Sequence, residues 1–129
     1  MRKMPKAIKS WLIPKLRRIS RYWPGVNIAR DKAKVFIQIG VYANGNPHLK
    51  RYYVCQNPEC GLLCAESYEG SIDHIKPVIS TSDGFVDWNE YIPALFCDPS
   101  NLQFLCKKCH DDKTSIENAE RKKKYLTRD

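Results

Sequence analysis

At 129 residues the chain fits a single domain, and 43% apolar residues allow only a modest core, of the size that commonly needs a metal or disulfide staple. A formal charge of +8 favours a polyanion partner, nucleic acid before an anionic membrane surface. No apolar run approaches a membrane span, and the first twenty residues are too interrupted by Lys, Arg and Pro for a secretory leader; a cytoplasmic chain without a membrane partner is expected.

The charge is uneven. Residues 1–34 carry eleven Lys or Arg and one acid, Asp31, a net +10, whereas residues 35–129 carry eleven basic and thirteen acidic residues, a net −2. A second short basic run lies at residues 121–124. In chain order, "IPKLRRISRYWPG" (13–25) predicts a short helix, opened by Pro14 at its first position and ended by Pro24-Gly25. Leu12, Leu16, Ile19 and Trp23 would form its apolar stripe, opposite Lys and Arg that could touch phosphates. Residues 26–35 predict a further helical turn or two. "FIQIGVY" and "KRYYVC" flank Asn44-Gly45, a hairpin signal. "GSIDHIKPV" (70–78) reads as a strand ended by Pro77, and residues 80–100 as a loop holding one helical turn around Trp88, Tyr91 and Leu95. After Cys109 the chain is helical in character to about Tyr125.

Two cysteine pairs stand out, Cys55-x4-Cys60 and Cys106-x2-Cys109. Two such pairs from separate loops can supply the four soft ligands of a structural zinc, with Cys64 an alternative to Cys60. The six cysteines thus read as metal ligands and buried thiols rather than disulfides, and Cys64 and Cys97 follow apolar runs that suit small buried hydrophobes. Asp73 and His74 are neighbours on the expected strand, so their side chains point to opposite sides. His110 should lie on the first turn of the last helix. If the knuckle brings that helix beside the strand, a carboxylate and an imidazole converge as a divalent-metal site, and a second imidazole nearby could take a proton from water. His48, in a turn, reads as an ordinary polar residue.

"DHIKP", "NLQFLCKKCHDDKT" and the flanking cysteine pairs together resemble the HNH endonucleases, over about residues 55–114. "LRRISRYWPG" and "DWNEYIPALF" are similar to a subgroup encoded by tailed bacteriophages. The resemblance implies an α+β fold: a small ββα-metal (His-Me finger) core with structural zinc and an N-terminal helical extension. Residues 1–50 would be a basic helical arm and hairpin, and residues 51–129 the nuclease domain. It implies His74 as general base, Asp73 and His110 as ligands of the catalytic ion, and Asn101 as the residue that orients the loop around His74. Cys55, Cys60, Cys106 and Cys109 would be the zinc ligands of the four-cysteine variant. The implied activity is metal-dependent DNA endonuclease, by nicking or double-strand cleavage, with Mg²⁺, Mn²⁺ or Ni²⁺ as catalytic ion. The phage likeness adds DNA packaging beside terminase subunits in the host cytoplasm. The rival reading is a catalytically inactive zinc-stapled DNA-binding or terminase-associated adaptor module.

Overall fold

The computed structural model describes residues 5–126, a mixed chain of four helices and two small antiparallel sheets among the described residues. Arg2 and Lys3 of the basic arm and residues 127–129 of the expected nuclease domain lie outside the described residues. No described helix is long and apolar enough to cross a membrane.

Helix α1 (Lys6–Ser20) starts at Lys6 and runs through Pro14, instead of opening there. Residues 7–13 include good helix formers, and continuing past Pro14 gives up local hydrogen bonding worth about 3 kcal/mol rather than the whole first half of the helix. The apolar stripe is narrower than expected: Leu12 and Leu16 are half-buried, but Ile19 is 58% exposed. Cations reach aromatic faces instead, Lys15 over Trp11 and Lys9 over Phe85, each at 4.4 Å.

Pro24 ends this segment and also opens the next, as the first residue of α2 (Pro24–Ala33), which is longer than the turn or two expected. Its small residues Gly25, Ala29 and Ala33, four apart, are buried and let the helix pack closely on the strands below. Trp23 anchors the corner, with Nε1 donating to the Cys97 carbonyl at 2.9 Å and the ring edge-on to Phe96.

Strands β1 (Lys34–Val41) and β2 (Pro47–Val54) form the expected hairpin, with a bulge between Gln38 and Gly40. Gly45 takes the positive φ of 88° that the turn requires. The two-residue β3 (Leu63–Cys64) pairs with β2 through Tyr53 and Val54.

The second sheet joins β4 (Gly70–His74) to β5 (Leu102–Cys106), with Gly70 opposite Cys106, Asp73 opposite Gln103 and His74 opposite Leu102. Gly70 is required there, since a Cβ would stand 2.4 Å from both the Leu105 carbonyl oxygen and the Phe104 ring. The strand ends at His74, before Pro77, because the backbone turns away under the hold of Asn101 described below. Helix α4 (Lys107–Leu126) follows β5 without a break. Between the strands, α3 (Trp88–Leu95) is longer than one turn; Asp87 caps it by accepting from the Glu90 N–H at 2.8 Å. Phe85, Trp88 and Tyr91 pack ring to ring around its buried face.

The main core gathers Ala33, Tyr53, Cys55, Cys64, Phe104, Leu105 and Cys106, with Ile72 and Cys109 against it. Two of its seven buried members, Cys55 and Cys106, belong to the cysteine pairs themselves, so little apolar mass supports this end of the molecule without a staple.

Candidate functional site

The first cysteine pair sits in a turn after β2. The Cys55 N–H donates to the Leu62 carbonyl at 2.8 Å, closing the loop. Inside it, the Asn57 carbonyl accepts from Cys60 and Gly61, and Gly61 takes φ 66°. The four-residue gap is therefore a tight, self-bonded turn that swings Cys60 back towards Cys55. The second pair spans the β5–α4 junction, Cys106 ending the strand and Cys109 on the first helical turn. Gln56 ties the two halves together: its N–H donates to the Phe104 carbonyl at 2.8 Å, and its side-chain oxygen accepts from the Phe104 N–H at 2.7 Å.

The sulfurs of Cys55, Cys60, Cys106 and Cys109 all lie within 4.8 Å of one another, the one group of three or more metal-ligating side chains among the described residues. Cys60, not Cys64, joins the cluster; Cys64 is 2% exposed in the core. Cys60 and Cys106 sulfurs are 3.9 Å apart. A tetrahedron with zinc–sulfur bonds of about 2.3 Å sets its sulfurs about 3.8 Å apart, so four thiolates here fit zinc. Asn57 donates to the Cys109 sulfur at 3.4 Å, an outer hydrogen bond of the kind that orients a metal ligand. Burial raises the Cys106 thiol, but hydrogen bonds from Cys109 and the other thiols outweigh it and bring it below the ordinary value. The Asn57 hydrogen bond pulls Cys109 down, yet burial and its thiol neighbours push it up to about 12. Burial likewise raises Cys55. Four thiolates crowded together ionise fully only around a positive charge. Burial also pushes up the Cys64 and Cys97 thiols, as suits thiols that pack.

The second cluster forms on the other side of the same junction. Asp73 points from β4 towards α4, where its Oδ1 stands 4.0 Å from His110 Nε2. Its Oδ2 is 3.0 Å from the Lys113 ammonium and accepts from Gln103 Nε2 at 3.3 Å, across the sheet. The side chains are largely enclosed, Asp73 14% and His110 35% exposed. His74 faces elsewhere, with Nε2 3.1 Å from the Leu95 carbonyl oxygen. A carbonyl only accepts, so Nε2 carries the proton of the neutral ring and Nδ1 is left as its basic nitrogen. Asn101 clasps the chain just beyond His74: its carbonyl accepts from the Ile75 N–H at 2.8 Å, its Oδ1 accepts from the Lys76 N–H at 3.0 Å, and its Nδ2 donates to the Lys76 carbonyl at 3.3 Å. Asp98 steadies Asn101 in turn, capping the short turn Pro99–Asn101 through the Ser100 N–H, a bond that holds its carboxyl below the usual range.

Asp73 and His110 thus converge, His74 and Asn101 are coupled through residues 75–76, and His48 lies apart in the hairpin, stacked on Tyr42 at 4.4 Å. Lys113, Glu117, Gln103 and Gln56 were not foreseen from the sequence. Lys113 lies three residues after His110, and so on the same helical face, a signal present in the spacing.

No family model matches the chain, and no solved structure matches it. The chain is 45% identical over 56 residues, 43% of its length, to a protein of Lactococcus phage SK1 named "Probable HNH endonuclease". The match spans 50% of that relative's length. The resemblance carried by the "DHIKP" and "CKKCH" motifs is therefore matched by similarity to a phage protein named as an HNH endonuclease, with a four-thiol cluster that fits the zinc-bearing variant.

Proposed function

We propose that the chain is a metal-dependent DNA endonuclease of HNH type, built on a zinc-stapled ββα-metal core in residues 51–129 and served by a basic arm and hairpin in residues 1–50. The observation that carries the proposal is the convergence of Asp73 and His110 at 4.0 Å across β4 and α4, next to the thiol cluster. One carboxylate and one imidazole leave coordination positions for a phosphate oxygen and water, and suit Mn²⁺ or Ni²⁺ as well as Mg²⁺. When bound, such an ion supplies charge relief on the phosphate and on the leaving 3′ oxygen.

The chain's own residues do the rest. His74 Nδ1 accepts a proton from the attacking water, while the Nε2–H held by Leu95 fixes the ring and takes up part of the positive charge that develops. The water oxygen bonds to phosphorus, and the bond from phosphorus to the 3′ oxygen breaks, the leaving oxygen taking its proton from solvent. Asn101 keeps residues 75–76, and through them His74, in register during attack. On α1 and just past its end, the exposed Arg17, Arg18 and Arg21, with half-buried Lys15, offer charge to the DNA backbone without reading bases. The phage likeness extends the proposal to cleavage of packaging DNA beside terminase in the infected host's cytoplasm.

Incubation with supercoiled plasmid and Mg²⁺ or Mn²⁺, with and without chelator, tests the reading. Expected are relaxed or linear products that chelator suppresses. Reversing Arg17, Arg18 and Arg21 should weaken DNA binding and lower the salt slope of log affinity by about 0.9 per lost phosphate contact. Gel-shift binding without cleavage at any metal would instead favour the inactive zinc-stapled module.

A further inference from the structure

Among the described residues, Lys113 is the one cation of the Asp73 cluster that the proposed chemistry leaves unused. Its ammonium lies among three oxygens: Asp73 Oδ2 at 3.0 Å, the His74 carbonyl at 2.9 Å, and Glu117 Oε1 one helical turn further on. The group is sheltered, with Lys113 24% and Glu117 19% exposed. An ion pair enclosed in this way is screened far less than a surface pair and holds its members to one geometry.

We propose that Lys113 is a positioning residue that occupies one oxygen of Asp73 and leaves the other for the ion shared with His110. The inference rests on the nuclease reading above. Asp73 has two oxygens, and the network divides them: Oδ2 is taken by Lys113 and Gln103, and Oδ1 faces His110. Lys113 also holds the His74 carbonyl, so one ammonium fixes the backbone of the base and the carboxylate of the ligand relative to α4. Glu117 supplies the countercharge, so Lys113 does not simply neutralise Asp73; the trio Asp73, Lys113 and Glu117 keeps a net charge of −1. Without the ammonium, two sheltered carboxylates would face each other across its vacated place. A divalent ion would then be drawn between Asp73 and Glu117 and away from the His110 imidazole.

The test compares Lys113→Met, Lys113→Arg and Glu117→Gln with the intact chain, by Mn²⁺ electron paramagnetic resonance after ¹⁵N-histidine labelling, steady-state cleavage and zinc content. The intact chain should bind Mn²⁺ with a histidine nitrogen coupling. Lys113→Met should keep zinc and its KM for DNA, lose the histidine coupling of bound Mn²⁺, and drop in kcat on the order of 100-fold, as for a misplaced reacting group. Lys113→Arg should recover part of both signals. Glu117→Gln, which keeps the ammonium and loosens its outer anchor, should move both in the same direction but less, and it decides the matter if Lys113→Met fails to fold. Retained coupling and kcat in Lys113→Met or, failing that, in Glu117→Gln would overturn the proposal. If the intact chain binds Mn²⁺ through histidine and the variant loses that coupling while neither cleaves DNA, the positioning role stands and the nuclease reading falls. Absence of Mn²⁺ binding by the intact chain overturns both.

Discussion

The thiol cluster and the Asp73 cluster are built on the same helical turn, yet they are opposite kinds of site. Cys109 turns towards three other sulfurs, whereas His110, the next residue, turns towards a single carboxylate. The thiol cluster is closed: four like ligands at tetrahedral separations, with hydrogen bonds from Asn57 and Gln56 tying its loop to the ligands and to β5. The Asp73 cluster is open: two unlike groups, supported by a lysine, a glutamate and a glutamine that hold the carboxylate without completing a cage. A closed set of four soft ligands stabilises a fold, and an open pair leaves room for chemistry. Because the two share the β5–α4 junction, rigidity that a zinc bound at the first would confer would reach the second.

The comparison predicts a hierarchy of effects. Cys106→Ser should have the largest, since a structural zinc in small domains contributes about 10–16 kcal/mol of binding free energy to folding. Zinc content by elemental analysis and the circular-dichroism melt should fall together, and a folded, zinc-bearing Cys106→Ser would break the closed-site half of the comparison. His74→Ala should lower cleavage by about 10²–10⁴, the usual reach of general-base help, while zinc, melting temperature and DNA affinity stay near those of the intact chain. Near-normal cleavage by that variant would remove the base assignment. His110→Ala should weaken Mn²⁺ binding by more than the 10–100-fold typical of an outer partner, with partial rescue of rate at high Mn²⁺. Asn101→Ala should slow cleavage without such rescue, and equal rescue of both would erase the distinction between ligand and clasp. The smallest effects belong to Cys64→Ser and Cys97→Ser. Both should retain zinc, with a stability loss of about 1–3 kcal/mol at the buried Cys64, where a hydroxyl would lack a partner. Zinc loss in Cys64→Ser would mean that the closed site extends beyond four thiols.

How far each site was legible follows from the same contrast. The thiol cluster is local: each pair is near in sequence, so spacing alone placed Cys106 with Cys109 and Cys55 with a partner. Only the choice of Cys60 over Cys64 needed the self-bonded turn at Asn57–Gly61 in three dimensions. The Asp73 cluster is assembled by sheet register. Gln103 reaches Asp73 because the two are cross-strand partners, and Lys113 reaches it because α4 continues from β5. The first relation is invisible without the pairing, and the second shows only as Lys113 sharing a helical face with His110, with no partner named until the strands are placed, which is why the motif pointed to Asp73, His74, Asn101 and His110 but not to what supports them. Among the elements, the Asn44-Gly45 hairpin and the last helix were plain. The start of α1 is hidden in the sequence because proline at a first helical position and proline inside a helix look alike until the preceding residues are seen to coil. Strand β5 leaves little trace in the sequence because it is only five residues long and is almost wholly buried, so it lacks the alternation that marks a half-exposed strand.

The Asn101 clasp has an evolutionary consequence. By binding residues 75 and 76 it closes a loop at its neck, and Trp23 and Arg121 fasten the chain again at Cys97 and Ile79. What lies between, α3 and its aromatic cluster, hangs from a fixed base. Lengthening a loop whose ends are already joined costs only about 0.6 kcal/mol for each doubling, as long as the new segment makes no demands on the neck. The loop at residues 80–84, ahead of α3, can therefore be exchanged, shortened or elaborated among descendants of this chain, provided α3 keeps buried Tyr91 and Leu95 and the Leu95 carbonyl that holds His74. Variation in this part of the molecule is cheap for the fold, and new specificity could arise there without rebuilding the strands beneath.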